Sequence, residues 1–227
     1  FNEFGTIMIT LKNQLHNIVL PIGDITNTGF SITGTCFQVA NGIFCTAYHN
    51  IAGLAKLGII LPKISSINDF QDYSDKSCNF MEVEIYKTNP HRDIVLLKIK
   101  NQPINEAKIL NFASLNILEK TTIVGYPHSA EDANGRFILT FQETKIGSKI
   151  LMQSELGNVK SKNYILNIQT RPGQSGSPVF DRNYNLIAMI VGGFKYKDMG
   201  IKLGNIDPSS LNQTTYAISS EYIGEML

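Results

Sequence analysis

The sequence predicts an all-β chain, a sandwich or barrel in two β units, and three features carry that expectation. Short runs rich in β-branched and aromatic residues recur along the whole length, bounded by Gly, Asn, Asp and Pro. Amphipathic helical patterns are scarce. The stretch 101–120 has weaker strand character and contains Pro103, so the junction between the units falls there and divides the chain into 1–108 and 109–227.

In order, the strand-like runs of the first unit are Thr6 to Leu11, Gly34 to Val39, Gly42 to Ala47, Met81 to Tyr86 and Asp93 to Ile99. The second unit continues the pattern with Thr121 to Tyr126, Phe137 to Phe141, Tyr164 to Gln169 and Leu186 to Val191. Asn41-Gly42 lies between two runs, and both residues tolerate the positive φ of a type I′ turn, which predicts a tight hairpin. Helix is expected over His49 to Lys56 and at the chain end, where Ser219 or Ser220 caps a final turn that Gly224 weakens.

Composition removes several function classes. With 227 residues, 43% hydrophobic and 17% charged, the chain can bury a full core, so disorder explains no large part of it. A net charge of +1 supplies no field to collect phosphate backbones or an anionic surface, so neither nucleic acid nor membrane is an expected partner. No apolar run reaches the ~20 residues of a spanning helix. Cys36, Cys45 and Cys78 cannot all pair and lack C-x-x-C spacing, so they read as free thiols. That leans towards an intracellular compartment and leaves a secreted bacterial enzyme open. Scattered histidines without H-E-x-x-H argue against metal catalysis, and no cofactor is expected. The chain starts at Phe1 rather than Met, so an upstream segment, a regulatory domain included, is an expectation.

Three short segments carry chemistry. Thr46-Ala47-Tyr48-His49 ends a strand with a histidine where the chain leaves the sheet; alone, such a histidine reads as structural. Asp93-Ile94-Val95-Leu96-Leu97 puts a carboxylate at the head of an apolar run suited to a buried strand, where it needs a partner unless it stays wet at a turn. His91-Arg92-Asp93 imitates the start of a kinase catalytic loop, but Lys98 stands where that loop needs Asn. In Pro172-Gly173-Gln174-Ser175-Gly176-Ser177-Pro178, glycines around a serine allow a sharp turn that brings two N–H groups to one point, as an acyl-transfer oxyanion requires. Ser177 replaces the last glycine of the α/β-hydrolase elbow, which excludes that motif. His, Asp and Ser in this order on an all-β chain is the chymotrypsin order.

The motifs T-A-Y-H, D-I-V-L-L-K and G-Q-S-G-S-P resemble the His, Asp and Ser motifs of trypsin-like serine proteases, nearest the bacterial glutamyl-endopeptidase and HtrA-like branches. The likeness covers nearly the whole chain, since Ile123-Val124-Gly125-Tyr126-Pro127 resembles the opening of the family's second barrel and Tyr216-Ala217-Ile218-Ser219 the lead into its C-terminal helix. It implies two six-stranded antiparallel β-barrels of chymotrypsin type with the site at their seam. The implied activity is a serine endopeptidase that works through an acyl-enzyme on polypeptide bound in extended form. Ser175 is the implied nucleophile, His49 the base, Asp93 its orienter, and the N–H groups of Gly173 and Ser175 the oxyanion hole. The resemblance also assigns the substrate pocket to Gln169, Thr170, Ile190, Val191, Gly192 and Gly193, with 191–194 pairing with the substrate as an extra strand.

Two departures from the family stand out. Gln174 occupies the position of the Asp that pairs with a new N-terminus in animal digestive members, so the oxyanion loop is expected to be held another way. Ile190 replaces the histidine that gives glutamyl endopeptidases their preference, and no carboxylate lies among the pocket positions, which predicts a neutral, small or apolar residue before the cut. Arg171 and Lys195 lie close enough in sequence to restore a preference for acidic substrates. Two alternatives compete with a constitutive enzyme: a latent protease domain of a larger regulated protein, and a binding module that keeps the fold without cleaving.

Overall fold

The computed structural model describes residues 11–27, 29–75, 77–127, 129, 137–154, 156–194 and 214–227. Strands β1 (Val19–Thr26), β2 (Gly29–Asn41), β3 (Ile43–Ala47), β4 (Leu57–Ile60), β5 (Phe80–Asn89) and β6 (Ile94–Ile99) close an antiparallel barrel in the order β1-β4-β5-β6-β3-β2. A short β7 (Asn105–Lys108) adds to β2. Strands β8 (Lys120–Gly125), β9 (Thr140–Gln153), β10 (Lys160–Leu166), β11 (Pro178–Phe180), β12 (Leu186–Phe194) and β13 (Thr214–Ser219) close the second barrel in the order β10-β13-β12-β11-β8-β9. The chain therefore has the expected chymotrypsin-like double barrel. A helix α1 covers 11–18, and α2 (Glu221–Met226) ends the chain.

Period-two geometry explains why β6 reads as an unbroken apolar run rather than an alternating one. Val95 and Leu97 point into the first barrel with Cys36, Phe44 and Ile59. Ile94 and Leu96 point the other way, into a cluster shared with the second barrel through Val124, Phe180, Met189 and Ile218. Both faces of the strand are dry. The same split separates Cys36 from Phe37 on β2 and Phe44 from Cys45 on β3. The second barrel has its own interior around Ile123, Ile146, Val179, Ile187 and Ile190. Apolar packing thus fixes the barrels against each other, and the seam between them is as buried as either interior.

Helix α2 bridges that seam. Its last carbonyls accept Lys87 Nζ at 2.8 Å (Met226) and Lys108 Nζ at 3.5 Å (Gly224), as the negative end of a helix favours. The Arg92 guanidinium lies 3.9 Å from the Tyr222 ring centre.

Several local expectations differ from the structure. The Asn41-Gly42 turn exists, but only Gly42 has positive φ (75°), so it is not type I′; a register shift at Gln38/Ala40 supplies the rest of the bend. The residues after His49 make a single 3₁₀ turn over Tyr48–Asn50 in place of a helix, and Gly53 at φ 80° turns the chain away soon after. Of the expected strand Thr6 to Leu11, Leu11 is helical, in α1, and 6–10 lie outside the described residues. Ser220 is the N-cap residue of α2 but gives its hydroxyl to the Leu186 carbonyl at 2.8 Å rather than to the helix.

Candidate active site

Strand pairing places the first two site residues. Ala47 on β3 is registered with Ile94 on β6, so the residues just beyond the two strand ends, His49 and Asp93, emerge side by side. Asp93 closes the 3₁₀ turn Pro90–Arg92 in the left-handed region (φ 55°, ψ 41°), a conformation that Asp tolerates better than most side chains. Its carboxylate then engages His49 twice. Oδ2 is 2.6 Å from the imidazole Nδ1, and Oδ1 accepts the His49 backbone N–H at 2.8 Å. An ionised carboxylate only accepts, so this contact puts a proton on Nδ1. The His49 and Asp93 side chains are 47% and 31% exposed. Asp93 is thus a partnered acid at the mouth of the buried strand, not an ion sealed inside it.

The serine segment is placed by its main chain. The Ser175 carbonyl accepts the Thr35 N–H at 2.9 Å and Asn50 Nδ2 at 2.8 Å, and Asn50 is the residue directly after His49. The Ser175 hydroxyl itself makes no hydrogen bond among the described residues. Gly173 (φ 95°) and Gly176 (φ 85°) hold the bend. A Cβ on Gly176 would lie 2.0 Å from the Thr35 carbonyl oxygen, and one on Gly173 2.4 Å from the Tyr126 carbonyl oxygen and Ser129 Oγ, so only glycine fits either place. Among the described residues neither the Gly173 nor the Ser175 N–H donates to a protein acceptor.

Three buried polar residues that sequence reasoning passed over tie this segment to the first barrel. Thr35 Oγ1 donates to the Gly173 carbonyl at 2.8 Å, Thr46 Oγ1 to the Thr35 carbonyl at 2.7 Å, and Asn50 Nδ2 reaches both Thr46 Oγ1 and Ser175. Thr46 stands in the histidine motif and Asn50 immediately follows it, so that proximity was their only signal. Thr35 carried none, because its partner is 138 residues away.

The expected pocket residues divide into groups. Thr170 is fixed by Thr215, whose hydroxyl accepts the Thr170 N–H at 3.0 Å and lies 3.1 Å from Thr170 Oγ1. Ile190 is fully buried in the second barrel's interior. Its main chain braces the serine segment, accepting from Gly176 N–H at 2.8 Å and donating to the Ser177 carbonyl at 2.9 Å. Val191 lines a cleft of about 400 Å³ together with His49, Asp93, Met152, Asn163 and Tyr216. A bulge between Ile190 and Gly192 re-aims β12 there, and the Tyr216 ring occupies the space a Gly192 side chain would need. Pairing of β12 with β11 stops at Met189, so among the described residues no strand covers that edge of Val191, Gly192 and Gly193. Gln169 is half-buried, Arg171 is exposed, and Lys195 lies outside the described residues.

Comparison with known proteins agrees with this architecture. The family model described as trypsin-like peptidase domain matches residues 34–189. Among solved structures, the protease domain of MamO from Magnetospirillum magneticum superposes with TM-score 0.65 at 12% identity, covering 94% of this chain and 97% of that one. The active form of the Rv3671c protease from M. tuberculosis gives 0.66 at 16% identity, covering 96% and 81%. The HtrA-type protease AlgW gives 0.64 at 15% identity, covering 97% and 61%. At these identities the structural likeness speaks to the fold. No curated protein sequence matches the chain.

Proposed function

The chain belongs to the trypsin-like peptidase domain family, and on that premise we propose that it hydrolyses peptide bonds with Ser175 as nucleophile, His49 as general base and Asp93 as the group that orients the base. The observation that supports this most is the clasp of the Ser175 segment onto the first barrel by Asn50, beside a His49–Asp93 pair in direct contact through Nδ1. Ser175 Oγ attacks the scissile carbonyl while Nε2 of His49 takes its proton, and the imidazolium is stabilised by Asp93 Oδ2. The carbonyl oxygen gains negative charge and is met by the N–H groups of Gly173 and Ser175. His49 then protonates the departing amine, and water, activated by the same base, releases the acyl group from Ser175.

Substrate binds in extended form, adding a strand along the uncovered edge at Val191 to Gly193 and laying its side chains into the adjoining cleft. The residue before the cut is neutral and small or apolar, a reading supported by the hydroxyl pair of Thr170 and Thr215, which no carboxylate joins among the described residues. Incubation with a peptide library tests both statements. Cleavage after neutral residues by the native chain, abolished in Ser175→Ala and His49→Ala with folding intact, is the expected result. Unchanged cleavage in either variant, or cleavage confined to Arg, Lys or Glu sites, contradicts the assignment. Binding of the peptides without any cleavage would favour the non-cleaving module.

A further inference from the structure

Gln174 lies between the two proposed oxyanion donors and is fully buried, although a glutamine there gains nothing from burial unless its amide is satisfied. It is satisfied on both sides. Its Oε1 accepts the Arg171 N–H at 2.8 Å, while its own N–H donates to the Arg171 carbonyl at 3.0 Å, so backbone and side chain together close the 171–174 turn. Its Nε2 donates at 2.5 Å to Oε1 of Gln142, a half-buried residue on β9 of the second barrel. The orientation of both amides follows from donor chemistry. A backbone N–H can only donate, so Gln174 must turn its oxygen to Arg171; its NH₂ can only donate, so Gln142 must present an oxygen.

We propose that Gln142 and Gln174 form an uncharged latch that holds the oxyanion loop in a conformation competent to donate, with Gln142 as a positioning residue that acts through Gln174. This rests on the serine-peptidase reading given above. The peptide between Gly173 and Gln174 is bonded at both ends, by Thr35 Oγ1 on its carbonyl and by Arg171 on its N–H. The preceding peptide, which carries the Gly173 N–H, has no such bonds among the described residues, and glycine's freedom would let it rotate. What restrains it is closure of the 171–174 turn, and the far end of that closure is Gln142. No ion pair takes part in this restraint: its members are two amides and the main chain of Arg171.

The test varies Gln142, which lies outside the loop, and compares the rate of fluorophosphonate labelling with kcat and KM on one peptide. Q142L removes the acceptor and leaves the buried Gln174 NH₂ unpaired. Labelling and kcat should fall by roughly tenfold to a hundredfold with KM within about twofold, because the donors act on the charge developed in the transition state. Q142E keeps an acceptor oxygen for Gln174 and should recover most of that rate. Adding Q174E to Q142E sets two carboxylates against each other and should lose it again, whereas Q174E alone should keep most activity once Gln142 turns its NH₂ towards the new acid. Native rates in Q142L, or an equal loss in Q142L and Q142E, would overturn the latch. A native chain that labels with no probe would overturn the peptidase reading and the latch with it, an outcome distinct from either.

Discussion

The two barrels contribute to the site by different physics. The first barrel presents side chains: His49 and Asp93 leave paired strand ends and meet in a direct, charge-assisted contact of 2.6 Å that needs no help from the other barrel. The second barrel presents main chain: between Gly173 and Gly176 the important groups are N–H donors, carbonyls and φ values, and the segment is held by Thr35, Asn50, Ile190 and Gln142 from elsewhere in the fold. A side-chain contact fails when its own atoms are changed. A backbone arrangement fails when its surroundings are changed, so the second half of the site is spread over many more residues.

That contrast orders the expected effects of substitution. The largest comes from the first barrel: Asp93→Asn should lower kcat by roughly 10⁴-fold, because an amide beside Nδ1 allows the wrong imidazole tautomer. Its thermal unfolding should stay close to native, and a loss of activity that merely tracks unfolding would count against the role given to Asp93. Next is Gly176→Ala, which forces a Cβ into the Thr35 carbonyl at a positive φ and should cost about 2–4 kcal/mol of stability by denaturant titration. A near-neutral result would mean that the serine segment is less tightly clasped than the geometry implies.

Asn50→Ala should act more mildly. It removes the Asn50 amide from Thr46 Oγ1 and the Ser175 carbonyl, for about 1–2 kcal/mol of stability and about a tenfold fall in kcat, with the His49–Asp93 pair intact. Equal losses in Asn50→Ala and Asp93→Asn would erase the distinction between the barrels. The smallest effect concerns thiols. Burial pushes Cys36 well above the usual thiol range, and burial followed by the neighbouring Cys36 does the same to Cys45. Raised values keep both as neutral thiols at pH 8, where a thiolate-seeking reagent finds nothing to attack. Mass spectrometry after alkylation of the native chain should therefore show a single modification, on the half-exposed Cys78, with activity unchanged. Rapid reaction at Cys45 would mean that the first barrel opens at the seam.

The sequence made the first barrel's share of the candidate site legible and hid most of the second's. His49 and Asp93 stand in motifs whose apolar flanks predict strands, and pairing of those strands is enough to bring them together. Ser175 was visible because glycines must flank such a turn. Thr35 and Gln142 were not, because each matters only through a partner that is remote along the chain. Elements were lost for related reasons. β1 contains Pro21 and shows no alternation, since it packs on two sides, and β4 is only four residues long. The helix expected after His49 failed because local propensity yields to Gly53 and to Ile51, which is drawn into the first barrel's interior.

The most direct measurement is the position and rate of a fluorophosphonate adduct, read by mass spectrometry of peptides from the labelled native chain and from His49→Ala. One adduct on Ser175, formed at least about 10³-fold more slowly without His49, is the predicted result, because the proposed mechanism makes the two residues one catalytic unit. An adduct on another residue, or labelling of Ser175 that does not depend on His49, would contradict the assignment of this site.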